Sequence, residues 1–173
     1  MKYRLAALLG ALLLASPANA ERLKFDHRLS PALKAVFDAN DPGMIDYNDS
    51  NPRYVTDLIA IEGRSAQDWT EALLIVARTP DKKVRTVADW VAELQQESQK
   101  RCASTFRTIA ADPGSATFER RSEGCRQGYP PTAVYRVVSG KRSLFLLGFM
   151  KKNELAEATR QQWLAVLASA TID

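Results

Sequence analysis

Two stretches, TEALLIVAR (70–78) and SLFLLGFM (143–150), are apolar almost throughout and have the length of strands. Thr79-Pro80-Asp81 closes the first, and SGKR (139–142) precedes the second. Unbroken apolar runs of this length, bounded by turn residues, read as central strands, so the chain is predicted to build around a sheet. The neighbouring segments supply partners. YVTDLIAIE (54–62) alternates, with Val55, Asp57, Ile59 and Ile61 on one face, and GRSAQDW (63–69) connects it to the first run. STFRTIAA (104–111) and SATFERRS (115–122) flank Asp112-Pro113-Gly114 as a hairpin. TAVYRVV (132–138) and SLFLLGFM flank SGKR as a second hairpin.

Two segments switch to the helical rhythm. Thr86 is a candidate N-cap with Asp89 in the first turn, and Val87, Trp90, Val91, Leu94 and Ser98 recur on one face. In the last segment Asn153 is the candidate cap, and Leu155, Thr159, Trp163, Val166, Leu167 and Ala170 make the apolar face. The expectation is an α+β fold: a mainly antiparallel sheet of about six or seven strands, packed with two amphipathic helices at 86–102 and 153–170. Each helix would carry a tryptophan, Trp90 or Trp163, into the core. Residues 21–53 read as an irregular N-terminal part. NDPG (40–43) and NDSNP (48–52) are turn signals there, and SPALKAVFDAN (30–40) admits either a helical turn or a strand.

The first twenty residues address the compartment. MKYR is a short cationic start, LAALLGALLLA is an apolar run of 11 residues, and SPANA ends in an A-x-A pattern. The run is too short to span a bilayer and has no polar face, so residues 1–20 read as a signal peptide cleaved after Ala20. Residues 21–173 then form one domain, periplasmic or secreted, with no transmembrane segment. Lys2 and Arg4 leave with the leader, which takes the 24 basic residues to 22 against 20 acidic ones. A balance so close to neutral gives no ground for nucleic acid as a partner.

Cys125 lies among Arg120, Arg121 and Arg126, and cationic neighbours lower a thiol's pKa and raise its nucleophilicity. The exported address points the other way. Cys102 and Cys125 are the only cysteines, and an even count in an oxidising compartment reads as one disulfide. It would close a loop of about 24 residues, which contributes roughly 3–3.5 kcal/mol through loop-closure entropy. The single histidine, His27, lies far along the chain from either cysteine.

From Ile59 onward the chain resembles a group of small exported bacterial proteins of unknown function. Their pattern is a strand, a G-E-S-x-x-N-W-T turn, an apolar strand, a helix ending near a cysteine, a second cysteine after a hairpin, and a final helix with a tryptophan. Here it reads GRSAQDWTEALLIV (63–76), Cys102, Cys125, SGKRSLFLLGF (139–149) and QQWLAVL (161–167), with Arg64 and Asp68 in place of Glu and Asn. The order of elements is also similar to PsbP-like α/β/α sandwiches, a resemblance that implies a binding or assembly module rather than any chemistry.

The residues themselves point to no catalytic group, metal or cofactor. Asp38, Asn40, Gly43 and Asp49 fall at positions of a calcium loop, but Pro42 fills a ligand position and the closing glutamate is missing. Zinc ligands are lacking, and His27 lies outside any serine-nucleophile elbow. What remains is a basic edge beside the staple. Arg120, Arg121 and Arg126, with Arg101 and Arg107, form a candidate surface for an acidic protein of the envelope or medium, or for a glycan. Two alternatives stay open: a small-ligand binder with a pocket near Trp69, and a cryptic hydrolase.

Overall fold

A computed structural model describes residues 21–173. Residues 1–20, read above as a signal peptide, lie outside the described residues. Seven strands form one antiparallel sheet: β2 (Ile45–Asn48), β3 (Tyr54–Ser65), β4 (Asp68–Arg78), β5 (Ala103–Asp112), β6 (Ser115–Glu123), β7 (Thr132–Ser139) and β8 (Leu144–Lys151). Their spatial order is β2-β3-β4-β8-β7-β6-β5. A separate ribbon pairs β1 (Leu23–Lys24) with β9 (Thr171–Ile172), joining the two ends of the described chain.

The two apolar runs are β4 and β8, neighbours at the centre of the sheet. Side chains alternate between faces along a strand, so a strand apolar at every position must be covered on both sides. Both sides are covered. On one face Leu73, Leu147 and Phe149 pack under α1 (Pro31–Ala39) and α3 (Glu157–Ala168), against Leu33, Trp163 and Leu167. On the other, Val76, Tyr135, Val137 and Leu146 pack under α2 (Val87–Arg101), against Val87 and Trp90. Trp163 stacks on Phe149 with ring centroids 5.1 Å apart, and Trp90 is also buried, on the opposite face.

The helix at 86–102 forms as its sequence indicates. Thr86 caps it, and the Asp89 carboxylate reaches back to the Thr86 backbone to complete a capping box. Three readings are corrected. Among the described residues there are three α-helices rather than two, and nine strands once the β1–β9 ribbon is included. The additional helix, α1, lies inside the part read as irregular. Ser30 caps it, Pro31 opens it, and Leu33 carries it into the core. The final helix starts at Glu157, not at Asn153, and Ala156 at its N-cap makes no side-chain hydrogen bond. Leu155 packs against the core from the preceding loop, so an apolar residue at helical spacing proved to belong to a non-helical segment. No helix among the described residues is long and apolar enough to cross a membrane.

Candidate functional site

Cys102 caps the C-terminal end of α2 and Cys125 follows the end of β6, and the two are bonded, with Cα atoms 5.0 Å apart. The bond ties α2 to the open end of the β5–β6 hairpin, where Ala103 faces Glu123. A cleft of about 370 Å³ lies beside it, lined by Gln99, Cys102, Ala103, Ser104, Thr105, Arg121 and Glu123. The staple and one of the predicted arginines therefore share a concave surface.

Strand alternation divides the remaining arginines. Arg120 and Arg121 are adjacent in β6, so they point to opposite faces of the sheet. Arg121 opens to solvent, but Arg120 faces α2 and is 2% exposed. Its guanidinium donates to the Tyr129 hydroxyl and to the Pro130 carbonyl at 2.6 Å, and it lies over the Tyr129 ring 4.6 Å from the centroid. Its Nε has no hydrogen-bond partner among the described residues. Arg120 therefore belongs to the interior and is removed from the surface patch. Arg101 lies over the same Tyr129 ring at 6.0 Å, and Arg101 and Arg126 are both exposed at the stapled corner.

The organising group is Glu119, an acid that the sequence presents only as a counter-charge within a basic run. It is 2% exposed, on the α3 face of β6. Its Oε2 accepts from Arg160 Nε at 2.9 Å and from Arg107 at 2.9 Å, and its Oε1 accepts from Arg121 Nε at 2.9 Å. Burial on its own would push this carboxyl up. The hydrogen bonds from Arg107, Arg121 and Arg160, with the charge of Arg160, outweigh burial and hold it at about 2. Arg160 comes from the inward face of α3, three residues before Trp163, and is itself buried. Arg107 and Arg121 differ from it, with side chains 65% and 71% exposed. Three cations share one carboxylate, so the cluster keeps excess positive charge and directs it outward through Arg107 and Arg121.

A second buried carboxylate sits along α3. Glu71 accepts from Trp163 Nε1 at 2.9 Å and pairs with Lys151, which also reaches Glu62 at 3.1 Å. Burial would lower the Lys151 pKa, and its bonds to Glu71 and Glu62 raise it overall. Glu71 and Glu119 thus tie one helix to β4 and β6.

Trp69 follows the tight β3–β4 turn. Gly63 there has φ 137°, and a Cβ would run into the Asp68 carbonyl, so the turn needs glycine. Arg64 and Asp68 pair across the turn. The Trp69 ring is half-buried, and the Lys152 ammonium lies 4.1 Å from its centroid, on a face that a stacking ligand would use. His27 packs on Phe37, with ring centroids 4.8 Å apart.

No protein-family model matches the chain. A search of curated proteins gives no significant match.

Proposed function

We propose that the protein is an exported, non-enzymatic interaction module that docks an acidic surface of another envelope or secreted protein. The observation carrying this reading is the Glu119 cluster. Arg107 and Arg121 are held side by side by one buried carboxylate, each using one nitrogen on Glu119 and leaving the rest of its fork exposed. A guanidinium fixed in this way loses little side-chain entropy when it meets a carboxylate, and its planar fork suits bidentate contact. Arg101 and Arg126 extend the positive surface to the staple, and the disulfide keeps that corner rigid. Chemistry on Glu119 itself has no support. A carboxyl held at about 2 is ionised at neutral pH and is poorly placed to exchange protons. The leader sequence and the disulfide support the exported address.

The test replaces Arg101, Arg107, Arg121 and Arg126 by Gln, which removes four charges while amides can still bond Glu119. The wild-type protein should capture a defined partner from envelope extract and release it as salt rises from about 0.1 to 1 M, where the Debye length falls from about 10 to 3 Å. The variant should fold and lose that partner. Capture of every wild-type partner by the variant at low salt refutes the reading.

A further inference from the structure

The sheet ends in two unlike edges. On one side β2 is four residues long and carries Asp46. On the other β5 runs for ten residues, hydrogen-bonded to β6 alone. Among the described residues, no backbone hydrogen bond beyond the β6 ladder reaches 103–112. An open edge presents a row of unpaired N–H and C=O groups, and proteins blunt such edges with short strands, charges, prolines or bulges. The β2 edge is blunted by its length and its charge. The β5 edge has a bulge at Ile109, which leaves the stretch from Ala103 to Thr108 regular, and Arg107 is the only charge within that stretch.

Arg107 is also the exposed residue that Glu119 holds beside Arg121, and the register puts both on one face. Arg107 pairs with Glu119, and Thr105 pairs with Arg121. A strand added to β5 would lie about 4.8 Å away, next to Arg107, with Arg121 one strand further in behind the small Thr105.

We propose that β5 receives an extended acidic segment of a partner protein as an eighth strand, its backbone pairing along 103–108 and its carboxylates meeting Arg107 and Arg121. This rests on the arginine cluster being the docking surface and adds the form of the partner: an extended chain rather than a folded face. Strand addition takes affinity from main-chain hydrogen bonds and specificity from alternate side chains, and here the alternate positions call for acids. A second copy of this chain is the wrong occupant. Overlapping two β5 edges about Phe106 puts the two Arg107 side chains on one face as diagonal neighbours and offers neither of them an acid, since 103–108 contains none.

The experiment uses the purified full-length exported protein and three short acetylated peptides. One alternates glutamate with valine or threonine, the second has lysine for glutamate, and the third is the glutamate peptide with alternate amides N-methylated. Binding is followed by fluorescence anisotropy, and hydrogen exchange reports the β5 amides. The glutamate peptide should bind and slow exchange within 103–108 on the order of tenfold or more, and the other two should bind at least about tenfold more weakly. Equal binding of the N-methylated peptide, or no added protection in β5, overturns strand addition. If binding in that case still disappears in the Arg107→Gln/Arg121→Gln variant, the arginine surface survives as the docking site. Equal binding of the lysine and glutamate peptides, with β5 protected, refutes the arginine reading and the acidic character of the segment, while leaving an unselective strand site. Failure of all three peptides to bind overturns the strand proposal, and the arginine surface is then judged by the capture test alone.

Discussion

Replacing Glu119 with Gln keeps the shape of the side chain and removes the charge that three guanidiniums share. Arg107 and Arg121 are mostly exposed and regain water, so their loss is small. Arg160 is 8% exposed, and among the described residues its one remaining carboxylate is Glu157, at 3.2 Å on the surface. Removing one partner of a buried pair costs about 3–5 kcal/mol, because the other is left uncompensated. The pKa gives an independent figure. A drop from 4.5 to about 2 corresponds to a ceiling of about 3 kcal/mol, or about 2 kcal/mol after allowance for the two solvent-screened partners. The expected loss at neutral pH is therefore about 2–3 kcal/mol. The sign of the pH dependence follows from the depressed value. On acidification the unfolded carboxyl takes up its proton first, near 4.5, and the folded one only near 2. The stabilisation is present in full above about pH 5 and is lost as the pH falls toward 2. Urea unfolding of wild type and Glu119→Gln across this range should show a gap that closes toward acid, and taking the difference cancels the other carboxyls. A gap below about 1 kcal/mol at neutral pH, or one that does not change with pH, refutes this account of the cluster.

Two further outcomes test the corner beside the staple. Arg120→Glu should destabilise by at least about 3 kcal/mol, because it buries a carboxylate against the Pro130 carbonyl, whereas Arg126→Glu should stay within about 0.5 kcal/mol; equal melting temperatures for the two would place Arg120 on the surface after all. Labelling of the denatured, unreduced exported protein should find no free thiol, and two labelled thiols per chain would remove the rigid corner from the argument.

What the linear chain determined was everything that depends on local periodicity. The apolar runs at 70–78 and 143–150 have almost no polar side to present to water, so they read as central strands, and the structure adds that they are neighbours, β4 and β8. The Thr86 capping box and the spacing of Val87, Trp90 and Leu94 placed α2 and its buried face, and two cysteines were enough to name the staple. α1 stayed open between a helical turn and a strand: Leu33, Val36 and Phe37 keep helical spacing, but a stretch of 9 residues is too short for periodicity alone to decide. The start of α3 escaped because Leu155 keeps helical spacing while packing from a loop. The candidate site was legible only as a set of arginines. Alternation already implied that Arg120 and Arg121 could not share a surface, but which of them faced solvent depended on the helix packed over each side. Glu119 became the centre of the cluster because α3 brings Arg160 across 41 positions of sequence to meet it. The pairing of charges over such distances is decided by which surfaces are buried together, and that decision belongs to the tertiary structure.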